Sequence, residues 1–286
     1  MPELPEVETI RRGLAPHLAG RRIEAAAVLR DRAARRQPGG AAELAARVTG
    51  RRVTAVDRRG KYLWWALDDG AALLVHLGMS GQLTLPAPDA GPDRHLRAAF
   101  TLDDGTVVAF RDQRTFGWLW ACDLAPSRQD GRPVPAPAAH IAPDLLEVTD
   151  RPRGPAELAH RIRARRSGVK RVLLNQEVVS GIGNIYADEM LWAARLDGEV
   201  PADELGVRRL TGLLRAVRGV MDRSLAAGGT SFDSLYVHVN GESGYFSREL
   251  AVYGRAGSAC PRCGATVVRR RFMNRSSYLC PRCQRR

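Results

Sequence analysis

Four of the chain's five cysteines stand as two pairs, Cys260-x2-Cys263 and Cys280-x2-Cys283, with sixteen residues between the pairs. This is the spacing of a four-thiolate zinc site. Four thiolates close the tetrahedral shell and leave no position for a bound water, so the metal is structural. The C-terminus is thereby committed to a zinc-stabilised β-hairpin, a unit too small to own a core. Between the pairs runs Val267-Val268-Arg269-Arg270-Arg271-Phe272-Met273-Asn274-Arg275, a basic tip well shaped to enter a groove. Disulfide pairing of the same cysteines needs an oxidising compartment, and no segment resembles a signal peptide. The fifth, Cys122, sits in a hydrophobic stretch and reads as core.

The charge points the same way as the hairpin tip. A net +13 over 286 residues favours a polyanionic partner, nucleic acid or an anionic membrane surface. The apolar run Ala71–Val75 is far too short to span a bilayer, and no basic amphipathic anchor accompanies the charge. A cytoplasmic nucleic-acid binder with no membrane association is the expectation. Only two of the 44 basic residues are lysines, Lys61 and Lys170. Each hints that an amine is wanted, since lysine can be brought to lose its proton and arginine cannot.

Hydrophobic spacing divides the chain. Val7, Ile10, Leu14 and Leu18 recur at helical intervals, and Gly20 ends that run. From residue 21 to about 121, short β-rich runs alternate with turns such as Asp68-Asp69-Gly70 and Asp103-Asp104-Gly105. Such a succession predicts an antiparallel β-sandwich over 1–124. The Pro/Ala-rich stretch 125–139 reads as a linker. Residues 140–228 read as helical, with segments at Pro155–Leu158, Val169–Gln176, Ile185–Leu196 and Asp203–Ala227. A glycine-containing loop region, 229–254, precedes the cysteine module at 255–286. The fold class expected is α+β.

Three segments carry chemistry. Removal of Met1 would expose Pro2 as a secondary amine, with a pKa of roughly 7.7–8.0 for an α-amino group. A neutral amine of this kind attacks an aldehyde carbon and leaves an iminium ion, an electron sink. Glu3 lies beside it as a proton donor or acceptor; the bland reading is that Pro-Glu merely opens a helix. Gly181-Ile182-Gly183-Asn184 joins two helical stretches, and is either an ordinary helix–helix turn or a place where free N–H groups at a helix start hold a phosphate. His76-Leu77-Gly78-Met79-Ser80-Gly81 and Asp112-Gln113-Arg114-Thr115-Phe116-Gly117 place Met79, Arg114 and Phe116 in turns. Met79 and Phe116 read as buried core by default; the functional reading is a wedge that fills the gap left by an extruded base.

Together the segments PELPEVETIRRGL, VHLGMSGQL, GIGNIYADE, GYFSRELAVYGR and the final CPRC module resemble the bacterial formamidopyrimidine-DNA glycosylases, in that family's order and over nearly the whole chain. The resemblance implies an N-terminal β-sandwich with a leading helix, a helix-two-turn-helix domain, a lesion-capping loop at 229–254 and a zinc-finger hairpin. It implies a bifunctional repair enzyme, expected as a monomer, that excises oxidised purines from damaged double-stranded DNA and then cuts at the abasic site. Pro2 would be the nucleophile at C1′ and Glu3 the proton donor. Lys61 would lie near the lesion phosphate, and Arg275 would act from the zinc finger. Asn184, His95 and Arg165 would contact DNA, while Met79, Arg114 and Phe116 would fill the vacated duplex. One structural zinc on Cys260, Cys263, Cys280 and Cys283 would be the only cofactor, with no redox or nucleotide group.

The chain departs from the family pattern in places. Thr115 stands where a second arginine is usual, which puts one backbone or estranged-base contact in doubt. Ala142-Pro143-Asp144-Leu145-Leu146 is an altered domain junction, and the loop from Gly228 to Gly244 leaves fine lesion preference open. Two rivals remain. An endonuclease VIII-type enzyme prefers oxidised pyrimidines, but the opening Glu3–Glu8 and the Met79/Arg114/Phe116 set favour the purine type. A catalytically silent DNA-binding homologue is opposed by intact Pro2, Glu3 and Lys61.

Overall fold

The computed structural model describes residues 2–87, 91, 93–228 and 249–285. Most of the expected capping region, 229–248, lies outside the described residues. The chain divides into two compact units, 1–140 with 227–245, and 141–226 with 246–286.

The first unit opens with α1 (Leu4–Leu18), β1 (Ile23–Val28), a 3-10 turn at Asp31–Ala34 and α2 (Gly40–Val48). Strands follow as β2 (Val53–Arg59), β3 (Tyr62–Leu67), β4 (Ala71–His76), β5 (Gly81–Thr84), β6 (Leu96–Leu102), β7 (Val107–Asp112), β8 (Trp118–Pro126) and β9 (Pro133–Pro135). They form two antiparallel sheets, ordered β1-β6-β7-β5 and β2-β3-β4-β8-β9. The core between them holds Leu63, Trp65, Leu73 and Val75 against Phe100 and Phe110, and Val7, Ile10, Leu14 and Leu18 of α1 join it. Trp65 meets Phe100 edge-on, with ring centroids 5.0 Å apart.

β4 is apolar on both faces, and the alternate residues explain a correction. Trp64, Ala72, Leu74 and Cys122 face away from the sandwich core, where Val134 and Ala139 cover them. The stretch 125–139 is therefore no free linker. It carries the end of β8, all of β9 and a 3-10 turn at Ala136–Ala138. Proline is tolerated there because β9 is an edge strand. The fully buried Arg59 also grips this stretch, donating to Ser127 Oγ at 2.8 Å and Asp130 Oδ2 at 2.7 Å.

The second unit contains α3 (Leu145–Thr149), α4 (Gly154–Arg163), α5 (Val169–Leu173), α6 (Asn184–Ala193), a 3-10 turn at Ala202–Glu204 and α7 (Val207–Ala226). The hairpin β10 (Val268–Phe272) and β11 (Arg275–Leu279) completes it. The altered junction keeps its function as a helix start. Asp144 accepts from the N–H groups of Leu146 and Glu147, and Glu147 Oε2 accepts from the Asp144 N–H at 2.8 Å. That reciprocal cap nucleates α3. No described helix is long and apolar enough to cross a membrane.

Candidate functional site

Pro2 and Glu3 are buried at the start of α1. Glu3 is the N-cap residue, and its N–H donates to Glu6 Oε2 at 2.8 Å. The helix is held to the sheet by Glu8, which accepts from Arg11, Arg12 and, at 2.9 Å, from Arg58 Nε on β2. Burial raises the Glu8 carboxyl, but these three guanidiniums overcome it and hold the group down at about 2. β2 ends one residue beyond Arg58. Gly60, at φ +56, then turns the chain so that Lys61 stands at the tip of the β2–β3 hairpin. In this corner of the first unit, the Glu8–Arg58 ion pair ties the helix that starts at Pro2-Glu3 to the hairpin that bears Lys61.

Beside that corner lies an aromatic cluster. The His76 ring stacks on Trp118 at 5.4 Å and meets Tyr62 at 5.2 Å. Burial, then the charges of Lys61, Arg35 and Arg36, push His76 down to about 4, so it is neutral at pH 7. Its Nδ1 accepts the Gly78 N–H at 3.1 Å, which places the ring proton on Nε2.

From His76 the chain enters the first of two interlocked turns. A methyl group on Gly78 would lie 2.4 Å from the Phe116 carbonyl carbon, so only glycine permits this approach. The Asp112 carboxylate organises both turns. It accepts from Ser80 Oγ at 2.5 Å, from the Arg114 N–H at 3.1 Å and from the Gly117 N–H at 2.6 Å. Arg35 closes the arrangement, donating to the carbonyls of Phe116 and Gly117, both at 2.6 Å. Met79 and Phe116 are consequently 47% and 45% exposed, which removes the buried-core reading for both. Arg114 is exposed beside them. Thr115 adopts φ +54, an uncommon conformation for a β-branched residue, and its hydroxyl donates to the Arg114 carbonyl. His95 joins the same region through its backbone, where its carbonyl accepts the Asp112 N–H at 2.9 Å.

In the second unit, Gly181 at φ +89 and Gly183 at the N-cap let the chain turn into α6. Asn184 Nδ2 donates to the Ser276 carbonyl at 2.8 Å, next to Arg275 at the hairpin tip. Arg275 and Arg165 are exposed. Lys170 has a different place from Lys61. It is 1% exposed, lies 2.6 Å from Asp188 and donates to Ser277 Oγ at 2.8 Å. Asp188 also accepts the Tyr278 N–H, so this buried pair fastens β11 to α5 and α6. Glu189 accepts three successive N–H groups, of Ala251, Val252 and Tyr253. The GIGNIYADE and ELAVYGR segments are thereby one structural feature.

The Sγ atoms of Cys260, Cys263, Cys280 and Cys283 lie within 4.8 Å of one another. Zinc–sulfur bonds of about 2.3 Å require sulfur separations of about 3.8 Å. The Cys260–Cys283 and Cys263–Cys280 separations are 3.9 and 3.5 Å, so the four sulfurs form a site for one zinc ion. Cys122 stands apart, buried, with its thiol pushed up to about 12 by that burial.

The expected residues fall into two sets. Pro2, Glu3, Lys61, Met79, His95, Arg114 and Phe116 belong to the first unit; Arg165, Asn184, Arg275 and the four cysteines belong to the second. Within the first unit, Glu8, Arg58, Asp112, Ser80 and Arg35 hold the elements that carry the first set. Asp112 carried a usable signal, an aspartate two residues before the turn N–H it accepts. Arg35 carried none among so many arginines.

Comparison with known proteins covers the whole chain. Residues 1–119 match the formamidopyrimidine-DNA glycosylase N-terminal domain, 143–235 its H2TH domain, and 257–286 the zinc finger found in FPG and IleRS. A formamidopyrimidine-DNA glycosylase of Acidothermus cellulolyticus is 56% identical over 285 residues, 99% of this chain and 97% of that protein. One from Nocardia farcinica is 56% identical, covering 100% of this chain and 99% of its own. The MutM (Fpg) crystal structure from Thermus thermophilus superposes with a TM-score of 0.82 at 36% identity, covering 99% and 98% of the two chains. A Lactococcus lactis Fpg variant in complex with Fapy-dG-containing DNA gives 0.83 at 28% identity, with full coverage of both chains.

Proposed function

The chain belongs to the formamidopyrimidine-DNA glycosylase family, and from that premise we propose a bifunctional enzyme that excises oxidised purines from duplex DNA and then cleaves the abasic site. The observation that carries this reading is the Pro2-Glu3 pair at the buried start of α1, bolted through Glu8 and Arg58 to the hairpin that bears Lys61. A Pro2 nitrogen freed of Met1 is a secondary amine, and an α-amino pKa of roughly 7.7–8.0 leaves a useful fraction of it neutral at pH 7.

The Pro2 nitrogen attacks C1′ of the damaged nucleotide and the bond from C1′ to the base breaks, the base leaving with the proton that the Pro2 nitrogen sheds. Glu3 protonates the sugar ring oxygen as the ring opens, giving an iminium between Pro2 and C1′. The iminium acidifies the C2′ protons. Loss of one expels the 3′ phosphate by β-elimination, and δ-elimination of the 5′ phosphate follows. Lys61 and Arg275 neutralise phosphates, Asn184 donates to one from its neutral amide, and His95 and Arg165 make further DNA contacts. Met79, Arg114 and Phe116 occupy the duplex where the base has left. The zinc holds the hairpin that carries Arg275 and takes no part in bond breaking. The protein acts as a monomer in the bacterial cytoplasm.

Excision from duplexes carrying 8-oxoguanine or thymine glycol tests the substrate class. Faster release of 8-oxoguanine is expected. Faster release of thymine glycol would move the enzyme to the endonuclease VIII type.

A further inference from the structure

The second unit has a strongly charged cleft that the proposed reaction does not use. It has a volume of about 500 Å³ and is lined by Arg195, Arg209, Arg262, Arg282 and Arg285, with Cys263 and Cys283. Arg195 lies just past α6, Arg209 in the first turn of α7, and the other three in the zinc module. Among the described residues, none of the five pairs with a carboxylate. Their contacts are with neutral groups. Arg262 donates to the Trp192 carbonyl at 2.8 Å and stacks over the Trp192 ring at 3.9 Å. Arg285 donates to the Arg282 carbonyl at 3.3 Å.

Five guanidiniums that cannot shed their protons repel one another when gathered in one cleft. The zinc site offsets part of this, because four thiolates around a dication leave two negative charges. Five arginines exceed that, and a clear positive excess remains for a further anion.

Position separates this cleft from the proposed lesion contacts. α6 and the zinc module run side by side. At one end Asn184 Nδ2 donates to Ser276, and at the other Trp192 Nε1 lies 3.3 Å from Cys260 Sγ. At 1.5 Å per residue these ends are about 12 Å apart. Asn184 and Arg275 mark the first end, and the arginine cleft marks the second.

We propose that the cleft is a second phosphate-binding site, which takes the backbone of a nucleic-acid segment other than the one held at the Asn184–Arg275 end. Guanidinium forks pair with phosphate oxygens through two parallel hydrogen bonds. The lining offers no apolar side chain to anchor an acidic peptide, which favours phosphodiester over carboxylate.

The test uses the full-length, zinc-loaded protein saturated with a short duplex that contains a tetrahydrofuran abasic analogue. A fluorescent undamaged duplex is then titrated and followed by anisotropy. The wild type binds it in a salt-dependent manner, and inorganic polyphosphate displaces it. The triple variant Arg195→Gln, Arg209→Gln, Arg285→Gln loses at least tenfold in affinity for the second duplex. Its salt slope falls by about 2 to 3, at about 0.9 per phosphate. Its affinity for the first duplex and its zinc content stay unchanged. The corresponding triple lysine variant keeps the salt slope, because it keeps the charge. The proposal is overturned if the preloaded wild type takes no second duplex, if polyphosphate fails to compete, or if the glutamine variant binds like the wild type. It is also overturned if the lysine variant loses the slope as the glutamine variant does, or if a polyglutamate peptide binds the cleft and the duplex does not.

Discussion

Arg58 donates from Nε to Glu8 Oε2 at 2.9 Å, with both side chains 6% exposed. This ion pair joins the helix that begins with Pro2-Glu3 to the strand that ends just before Lys61. Arg58 Nη1 also lies 3.5 Å from the Gly60 carbonyl oxygen, within the turn that presents the lysine. A proposed nucleophile and a proposed phosphate contact, 59 positions apart in sequence, thus share one buried anchor.

The anchor makes stability fall in acid. The Glu8 carboxyl is lowered from 4.5 to about 2 in the folded protein, after burial is opposed by Arg11, Arg58 and Arg12. Above pH 4.5 the carboxylate is charged in both states and its contribution is complete. As pH falls from 4.5 toward 2, the unfolded chain takes up the proton first, and stability is lost. The full effect is at most about 3 kcal/mol, at 1.36 kcal/mol per pH unit. His76, lowered to about 4, loses its contribution earlier, between pH 6.5 and 4. Urea unfolding across pH should show Glu8→Gln less stable than wild type at pH 7, with the difference shrinking below pH 4.5. A constant difference across that window would contradict the anchor.

Met79, Arg114 and Phe116 should act through the duplex and not through the bond-breaking step. Unstacking a base costs a few kcal/mol, and side chains in the vacated space recover part of it. Met79→Ala and Phe116→Ala should slow excision from duplex DNA while sparing cleavage of a preformed abasic site much more. Arg114→Ala should narrow the difference between cytosine and other opposite bases. Arg35→Ala, which frees the carbonyls of Phe116 and Gly117, should reproduce the Phe116→Ala pattern without removing any wedge atom. Equal loss of excision and abasic-site cleavage in all four variants would defeat the wedge reading.

Much of this molecule was legible because its signals are local. The α1 stripe of Val7, Ile10, Leu14 and Leu18, the strands β2 to β8 and the cysteine pairs each follow from spacing within a few residues. β1 and α2 leave no such local pattern. Glu24-Ala25-Ala26-Ala27 has little intrinsic strand preference and is a strand because it pairs with β6 across a bulge. α2 buries only Leu44 and Val48, too few apolar positions to set a period. Asp144-x-x-Glu147 is itself a local helix-start pattern, which the structure uses as a reciprocal cap. The 125–139 stretch misled because proline signals irregular chain, whereas Val134 and Ala139 meet an apolar sheet face that only tertiary structure reveals. The supports of the site, Glu8 with Arg58 and Arg35 with Phe116, are contacts at long sequence separation and leave no local pattern.

Cys280→Ser should abolish binding of one zinc per chain and disorder the hairpin that carries Arg275, weakening DNA binding. The first unit should stay folded, because its apolar core draws only on its own strands and helices. Metal analysis and limited proteolysis measure both outcomes. Finding no zinc in native protein purified without chelators would contradict the metal assignment.

The central claim is that the Pro2 nitrogen bonds to C1′. Borohydride reduction during reaction with abasic duplex, followed by peptide mass analysis, tests it most directly. The account predicts one covalent DNA adduct located at residue 2, and no adduct in protein that retains Met1, where the Pro2 nitrogen is an amide. An adduct at Lys61, or trapping that persists with Met1 in place, would contradict it.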